Sequence, residues 1–172
     1  WGIDTDKERI HKLKSGLSYN DDVSDEVIQQ AMKTNRFFVT DEYEILKEID
    51  AVCICVPTPL NKIQEPDLSF IIQAVDAIES YLHQGMLIVL ESTTYPGTTE
   101  EVVLPRLSKG GLCVGKDFFL AFSPERYDPG NKQFHIRNTP KVIGGITPTC
   151  TQKAQELYQH IISEIVPVSN AR

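Results

Sequence analysis

Long apolar runs and net positive charge are both missing from this chain of 172 residues. No apolar run approaches the ~20 residues that span a bilayer, and the first residues lack the basic flank and apolar stretch of a secretion signal. The formal net charge of -7 disfavours nucleic acid and anionic membranes as partners, because both attract basic surfaces. A local basic pocket for a phosphorylated small molecule remains compatible with this charge.

The cysteines also lack the spacing of a metal site. They are Cys53, Cys55, Cys113 and Cys150. They form no C-x-x-C pair, and no histidines at zinc-ligand spacing accompany them, so we predict no metal ion. Cys53 and Cys55 alternate within an apolar run, which predicts that both thiols lie on one face of a buried strand. We interpret all four as reduced core thiols, which fits a cytoplasmic location.

Short apolar runs alternate with helical patterns along the chain, which is typical of a mainly parallel sheet covered by helices. The predicted strands are residues 2–4, 37–39, 51–56, 86–90, 118–122, 141–143 and 165–168. We expect 51–56 to be buried on both faces of the sheet, since it is almost wholly apolar. The length suits one ordinary domain, so the sequence predicts a single α/β domain over residues 1–172.

Polar residues indicate where the helices begin. Thr5, with Glu8 three residues later, predicts a capping box, and Gly16 predicts the end of that helix. The next helix is predicted to begin at Ser24 and to turn three apolar side chains inward, Val27, Ile28 and Ala31. Later helices are predicted to begin at Asp41, at Asp67, after Pro96-Gly97 and at Thr147.

Polar residues also follow four of the predicted strands. They are Asp4, Thr58, Thr93 and Glu125. Ligands of open α/β sheets bind outside the carboxyl ends of the strands. The pattern therefore predicts that these residues face one shared crevice.

Asp4 is a candidate for binding an adenosine ribose. An acidic residue at such a strand end accepts hydrogen bonds from both ribose hydroxyls and repels a 2′-phosphate, which favours NAD over NADP. Taken alone, Asp4 is equally compatible with a turn into the next helix.

Two further strand ends are candidates for contacting a ligand. Val56-Pro57-Thr58-Pro59 is stiffened by its prolines and is suited to lining a flat cofactor. Alternatively, its prolines serve only to end the strand. Residues 91–99, ESTTYPGTT, concentrate hydroxyl groups that can orient a ribose or a water molecule. Some of these hydroxyls are expected to serve as helix caps instead.

The loop from Ser123 to Gly130 carries two carboxylates and a guanidinium. Glu125 is a candidate general base or water-binding group. Arg126 is a candidate phosphate ligand, and it is equally suited to an ion pair with Glu125 or Asp128.

Taken together, these motifs resemble the UDP-glucose/GDP-mannose dehydrogenase family. The matching stretches are residues 2–4, 55–61, 65–67, 91–101, 123–126, 128–131 and 140–145, in the family's order. The resemblance implies a Rossmann-like, doubly wound domain with helices on both faces of its sheet, which binds NAD and belongs to a larger multidomain dehydrogenase. It also implies that the first strand and its glycine-rich loop precede residue 1.

Within the family, the motifs look most like those of UDP-N-acetylglucosamine 6-dehydrogenases of bacterial polysaccharide synthesis. Such enzymes oxidise the C6 alcohol of a UDP-sugar to a carboxylate and reduce two NAD+. The alternatives are UDP-glucose, UDP-N-acetylmannosamine or GDP-mannose as substrate, a hydroxyacid dehydrogenase of the same fold, and a non-catalytic nucleotide-binding module. We also expect the whole protein to be a cytoplasmic homo-oligomer, a dimer or higher. The negative net charge disfavours nucleic acid and membrane partners.

The resemblance assigns roles to matched positions. The cofactor-binding set is Asp4, Arg9, Val56, Pro57, Thr58, Ser92 and Thr93. Thr93 is also implied to lie beside a catalytic water, on which Glu125 acts, while Glu125 and Arg126 contact the substrate. The family's catalytic cysteine belongs to later domains, so we expect the 172-residue chain alone to be inactive. A second glutamate of the UDP-glucose branch falls on Pro129, so its cofactor contact is lost or passes to Asp128.

Overall fold

A computed structural model describes residues 1–61, 64–126 and 137–172. Its strands are β1 (Gly2–Ile3), β2 (Val39–Thr40), β3 (Ala51–Ile54), β4 (Leu87–Leu90), β5 (Phe119–Phe122), β6 (Lys141–Gly145) and β7 (Ile165–Pro167). Its α-helices are α1 (Lys7–Lys14), α2 (Asp25–Lys33), α3 (Ser69–Glu79), α4 (Leu104–Leu107) and α5 (Pro148–Tyr158). A 3-10 helix spans Tyr43–Glu48, and a π-helical segment, Thr99–Val103, leads directly into α4.

The chain divides into two compact units, residues 1–45 and 46–172. In the first unit, β1 and β2 pair in parallel. In the second, five strands form a sheet in the order β3-β4-β5-β6-β7. The β5–β6 pair is antiparallel, and the other neighbours in this sheet are parallel. The predicted mainly parallel α/β class is therefore confirmed.

The core of the second unit covers both faces of its sheet. Successive residues of a strand point to opposite faces. On one face, Leu87 and Val89 of β4 belong to a buried cluster that includes Cys150, Ala154 and Tyr158 of α5. On the opposite face, Ile88, Leu90 and Leu120 are fully buried. Burial on both faces is what the doubly wound pattern predicts.

The first helix begins after Asp6, so the predicted cap at Thr5 is wrong. Asp6 Oδ1 accepts the backbone N–H groups of Glu8 at 2.9 Å and Arg9 at 3.3 Å. A carboxylate also interacts favourably with the positive end of the helix dipole, which makes Asp6 the stronger cap. Gly16 follows the helix with φ +74°, and the predicted glycine terminator is confirmed.

Several burial predictions are wrong. Val27 is 53% exposed, although its neighbour Ile28 is buried as predicted, because adjacent residues of a helix point about 100° apart. Cys150 is buried, whereas the other three cysteines are exposed and are not core thiols. Strand β3 is only partly buried, since it is the end strand of its sheet. The predicted strand at 37–39 is displaced to Val39–Thr40.

Candidate cofactor and catalytic site

Asp4 and Arg9 form an exposed ion pair in the first unit. Asp4 follows β1, and its Oδ1 accepts the backbone N–H of Asp6 at 2.9 Å. Its Oδ2 lies 3.4 Å from Arg9 NH1, and the two side chains are 32% and 48% exposed. Arg9 is also 3.5 Å from Asp6 Oδ2, and its guanidinium lies 5.1 Å from the Tyr19 ring centroid. The Asp4 carboxylate is thus held in place and remains open to a ligand.

Ser92 ties the end of β3 to the end of β4. Its Oγ lies 2.8 Å from the carbonyl oxygen of Val56 and 3.2 Å from that of Ile54. Its backbone N–H donates to the same Ile54 carbonyl at 3.1 Å. Ser92 is buried, so its side chain fixes the strand ends. This connection places the backbones of Val56 and Thr93 side by side at the carboxyl edge of the sheet.

The hydroxyl groups after β4 divide into two kinds. Thr94 and Thr98 hydrogen-bond to each other through their hydroxyls, and Thr98 also donates to the Tyr95 carbonyl. These two serve the local turn, as the capping interpretation predicts. Thr93 is exposed, and within the described residues no hydrogen bond occupies its hydroxyl. Thr93 is therefore the hydroxyl of this strand end that is available to a ligand.

Glu125 follows β5 and is held at both carboxylate oxygens. Oε1 accepts the backbone N–H of Arg126 at 2.7 Å, and Oε2 lies 3.8 Å from Lys141 Nζ. The ion pairs of the described residues do not include the Arg126 guanidinium, whereas Lys141 does pair with Glu125. Asp128, the other partner considered for Arg126, lies outside the described residues, as does Pro129.

A buried polar cluster, which sequence reasoning missed, adjoins Glu125. It consists of Glu91, Lys141 and Tyr158. Glu91 Oε1 lies 3.4 Å from Lys141 Nζ, and these side chains are 11% and 9% exposed. The Tyr158 hydroxyl donates to Glu91, and Lys141 Nζ lies 4.9 Å from the Tyr158 ring centroid. The available signal was a glutamate directly after the wholly apolar β4, because a buried charge needs a partner.

Two cysteines face this cluster. Cys55 Sγ lies 3.5 Å from Glu91 Oε2, and Cys53 Sγ lies 3.4 Å from the Tyr158 hydroxyl. Although both residues are partly exposed, desolvation of the sulfur, followed by the charge of Glu91, raises the pKa of Cys55 to about 12. Desolvation also raises the pKa of Cys53 and of Tyr158. At neutral pH both thiols are protonated, and therefore neither supplies a nucleophilic thiolate.

A small cavity opens beside Glu125. It is lined by Pro124, Glu125, Arg126, Thr139, Pro140, Lys141 and Ile162. Its interior has room for about one water molecule, and four of its lining side chains are polar. A water molecule in a protein needs two to four polar partners. The cavity therefore suits a water molecule next to a carboxylate and an ammonium group.

The residues that the structure describes also bear on metal binding and membrane insertion. No three His, Cys, Asp or Glu side chains among them are arranged to hold a metal ion. None of the helices in the described ranges has both the length and the apolar character that a membrane crossing requires.

The structure defines the class of the protein. A carboxylate ends β1, a rigid proline segment follows β3, and an exposed hydroxyl follows β4. These are the positions at which doubly wound sheets bind dinucleotides. The fold and these strand ends are those of the dinucleotide-binding class of α/β proteins.

Comparison with known proteins identifies the family. The chain belongs to the UDP-glucose/GDP-mannose dehydrogenase family, and residues 1–162 match the NAD binding domain of that family. It is 37% identical, over 163 residues, to UDP-N-acetyl-D-glucosamine 6-dehydrogenase of Salmonella typhi, an alignment that covers 94% of this chain and 38% of the relative. It is 32% identical, over 171 residues, to UDP-N-acetyl-D-mannosamine dehydrogenase of Pyrococcus horikoshii, covering 99% and 41%.

A solved structure extends the comparison to the fold. The UDP-N-acetyl-mannosamine dehydrogenase Cap5O from Staphylococcus aureus matches with a TM-score of 0.91 and 28% identity, over 99% of this chain and 41% of that chain. The predicted Rossmann-like fold, the predicted family and NAD as the cofactor of this domain are confirmed. The chain spans about two fifths of the length of these relatives.

The residues present fit NAD. The Asp4 carboxylate is fixed through Oδ1 and remains partly exposed, as a group that accepts ribose hydroxyls must be. The Ser92 hydrogen bonds hold the Val56 and Thr93 segments together without using the Thr93 hydroxyl. Hydrogen bonds within the chain therefore position Asp4 and the Val56 and Thr93 segments before any ligand binds.

Proposed function

We propose that the protein containing this chain is an NAD-dependent nucleotide-sugar 6-dehydrogenase and that residues 1–172 are its NAD-binding domain. The match of residues 1–162 to the family's NAD binding domain carries the proposal. UDP-N-acetylglucosamine is our preferred substrate, supported by the 37% identity to the Salmonella typhi enzyme. UDP-N-acetylmannosamine is the main alternative, because relatives with that name match almost the whole chain.

Each proposed cofactor-binding residue has its own role. Asp4 accepts the hydroxyls of the adenosine ribose and repels a 2′-phosphate, with Arg9 alongside. Val56, Pro57 and Thr58 line the cofactor, while Ser92 fixes their strand end. NAD, when bound, supplies the hydride acceptor.

The proposed catalytic residues handle water. Oxidation of an alcohol to an acid removes hydride twice and needs one attack by water. We assign that water to Thr93 and Glu125, whose carboxylate takes up its proton as the attack develops. The Glu125 carboxylate beside a cavity with room for about one water molecule supports this role. The cysteine that carries the acyl group is assigned, from the family resemblance, to a later part of the protein.

Arg126 completes the proposed substrate contacts. It is exposed, lines the same cavity and suits a negatively charged part of the sugar nucleotide. We also propose a cytoplasmic homo-oligomer, a dimer or higher, which light scattering of the purified protein measures directly.

The function is tested by the stoichiometry of the full-length protein. With UDP-N-acetylglucosamine and NAD+, we expect about two NADH per sugar consumed, because an alcohol becomes an acid by two hydride transfers. UDP-N-acetylmannosamine, UDP-glucose and GDP-mannose are run in parallel to define the sugar. Binding of NAD+ without oxidation of any of these sugars would instead support the non-catalytic nucleotide-binding module.

A further inference from the structure

We propose that Lys141 is a positioning residue for Glu125 and that Glu91 and Tyr158 fix Lys141 in place. The inference rests on the proposed function, in which Glu125 handles the hydrolytic water. Lys141 acts through Glu125, and the family resemblance assigned it no role.

The first support is the way in which Glu125 is held. A half-exposed glutamate normally samples several rotamers, and fixing it costs conformational entropy. Here Oε1 accepts the Arg126 N–H at 2.7 Å, and Oε2 lies 3.8 Å from Lys141 Nζ. Opposite charges at this separation attract even near a protein surface. The ammonium group therefore biases Glu125 toward one orientation beside the cavity.

The second support is that Lys141 itself has little freedom. Its side chain is 9% exposed and lies between the Glu91 carboxylate, at 3.4 Å, and the face of the Tyr158 ring. The Tyr158 hydroxyl in turn donates to Glu91. A lysine side chain is long and flexible when exposed, but burial between an anion and an aromatic face confines it. Its charge thus reaches Glu125 from a fixed position.

The third support is the strand register. In the antiparallel β5–β6 pair, Ala121 lies opposite Gly145 and Phe122 opposite Gly144. Continuing the same register places Glu125 opposite Lys141. Ser123 Oγ donates to the Val142 carbonyl at 2.9 Å, which holds the two segments together beyond the strand itself. The backbone therefore sets the approach of Lys141 to Glu125.

The charges explain why a lysine is needed between the two glutamates. Glu91 and Glu125 would repel each other if nothing lay between them, and Lys141 lies within 4 Å of both carboxylates. Removing its charge takes away the attraction that holds Glu125 Oε2 toward Lys141. We therefore expect loss of Lys141 to slow the step that uses Glu125, with little effect on binding of NAD+.

The first test observes Glu125 directly in this chain, without substrate. In protein labelled with ¹³C at glutamate carboxyl carbons, the Glu125 resonance is assigned by its loss in Glu125→Gln. We expect this resonance to move in Lys141→Met and to stay in place in the matched control Lys153→Met. Lys153 also pairs with a glutamate, at 2.9 Å, and also lies over an aromatic ring. An unmoved Glu125 resonance in folded Lys141→Met would overturn the proposal.

The second test is a double-mutant cycle in the full-length protein. We expect Lys141→Met to lower the turnover rate by about tenfold or more, because misplacing a reacting group by about 1 Å can slow a reaction by ~10²-fold. In a Glu125→Gln background, the same change should have less than about a twofold further effect, because the group through which it acts is gone. Equal losses in both backgrounds would make Lys141 a merely structural residue.

Milder variants keep the test decisive if Lys141→Met does not fold. Lys141→Arg retains the charge and should restore most of the turnover, and Tyr158→Phe removes one hydroxyl while leaving the ion pair. In the same cycle, Tyr158→Phe should slow turnover in the wild-type background and have less than about a twofold further effect in the Glu125→Gln background. Lys141→Arg should have little effect in either background, and equal losses for Tyr158→Phe in both would overturn the proposal. Wild-type protein that oxidises no nucleotide sugar would refute the proposed function, whereas the resonance test would still decide the role of Lys141.

Discussion

Two ion pairs of equal length lie in very different surroundings. Asp4 and Arg9 are 3.4 Å apart with side chains 32% and 48% exposed. Glu91 and Lys141 are also 3.4 Å apart, but their side chains are 11% and 9% exposed. An exposed pair contributes about 0–1 kcal/mol, whereas breaking a buried pair costs about 3–5 kcal/mol. The contribution of an ion pair to stability therefore depends on its exposure to solvent as well as on the distance between its charges.

The difference in exposure matches a difference in role. The exposed Asp4 carboxylate can exchange its contacts with water for contacts with a ribose. The buried Glu91 carboxylate has no such exchange open to it, because Lys141, Tyr158 and Cys55 surround it. We therefore interpret the first pair as a ligand site and the second as the support of a neighbouring site.

The largest expected effect is on stability. Lys141→Met should lower the free energy of unfolding by about 3–5 kcal/mol, because Glu91 is left as an unpaired buried charge. Urea denaturation of the purified chain measures the loss. Lys153→Met removes an exposed pair and should cost no more than about 1 kcal/mol. Equal losses for the two variants would mean that burial does not distinguish these pairs.

Thiol chemistry tests the charge of Glu91. With a pKa of about 12, Cys55 forms its thiolate mainly above that pH, and at pH 8 its thiolate fraction is about a thousandfold below that of a thiol with pKa 9.0. Its alkylation by iodoacetamide, followed by peptide mass spectrometry, should be correspondingly slow. Glu91→Gln removes one cause of the raised pKa and should speed the reaction. Alkylation of Cys55 at the rate of free cysteine would contradict this picture of the cluster.

The exposed pair is tested through cofactor affinity. In the full-length protein, Asp4→Ala should raise the KM for NAD+ by about tenfold or more, since a hydrogen bond to a charged group contributes about 1.5–3 kcal/mol. The KM for the sugar should hardly change. If both constants keep their wild-type values, Asp4 is a turn residue, as the alternative interpretation of the sequence has it.

The smallest expected effect concerns the stability of the same exposed pair. Arg9→Ala should change the free energy of unfolding by no more than about 1 kcal/mol, because solvent screens the pair. Thermal unfolding monitored by circular dichroism measures this change. A loss as large as that of Lys141→Met would show that Arg9, which also contacts Asp6 and Tyr19, supports the fold of the first unit.

Much of the fold could be predicted because local signals agree with the final structure. The apolar runs at 86–90 and 118–122 become β4 and β5, where burial enforces the strand. Thr147 caps α5 with Pro148 at its first position, as predicted. Such signals need only neighbouring residues, so a single sequence carries them.

The Glu91–Lys141 pair could not be predicted in the same way. Lys141 begins its strand, and in a parallel β6 it would lie at the opposite edge of the sheet from Glu91 and Glu125. The antiparallel β5–β6 pairing reverses that placement. The apolar pattern of a strand does not specify whether it pairs in parallel or antiparallel. The role of Ser92 could not be predicted either, because its hydrogen bonds to Ile54 and Val56 join residues that are far apart in the sequence.

The central claim, that Glu125 handles the hydrolytic water, is tested most directly by pre-steady-state kinetics of Glu125→Gln in the full-length protein. Loss of such a base typically slows its step by about 10²–10⁴-fold, while hydride transfer survives. Because both hydride transfers precede hydrolysis, we expect a burst of about two NADH per enzyme site, then slow turnover and a trapped acyl-enzyme detectable by mass spectrometry. Near-normal steady-state rates with reduced thermal stability, no burst and no adduct would contradict the account and make Glu125 a structural residue.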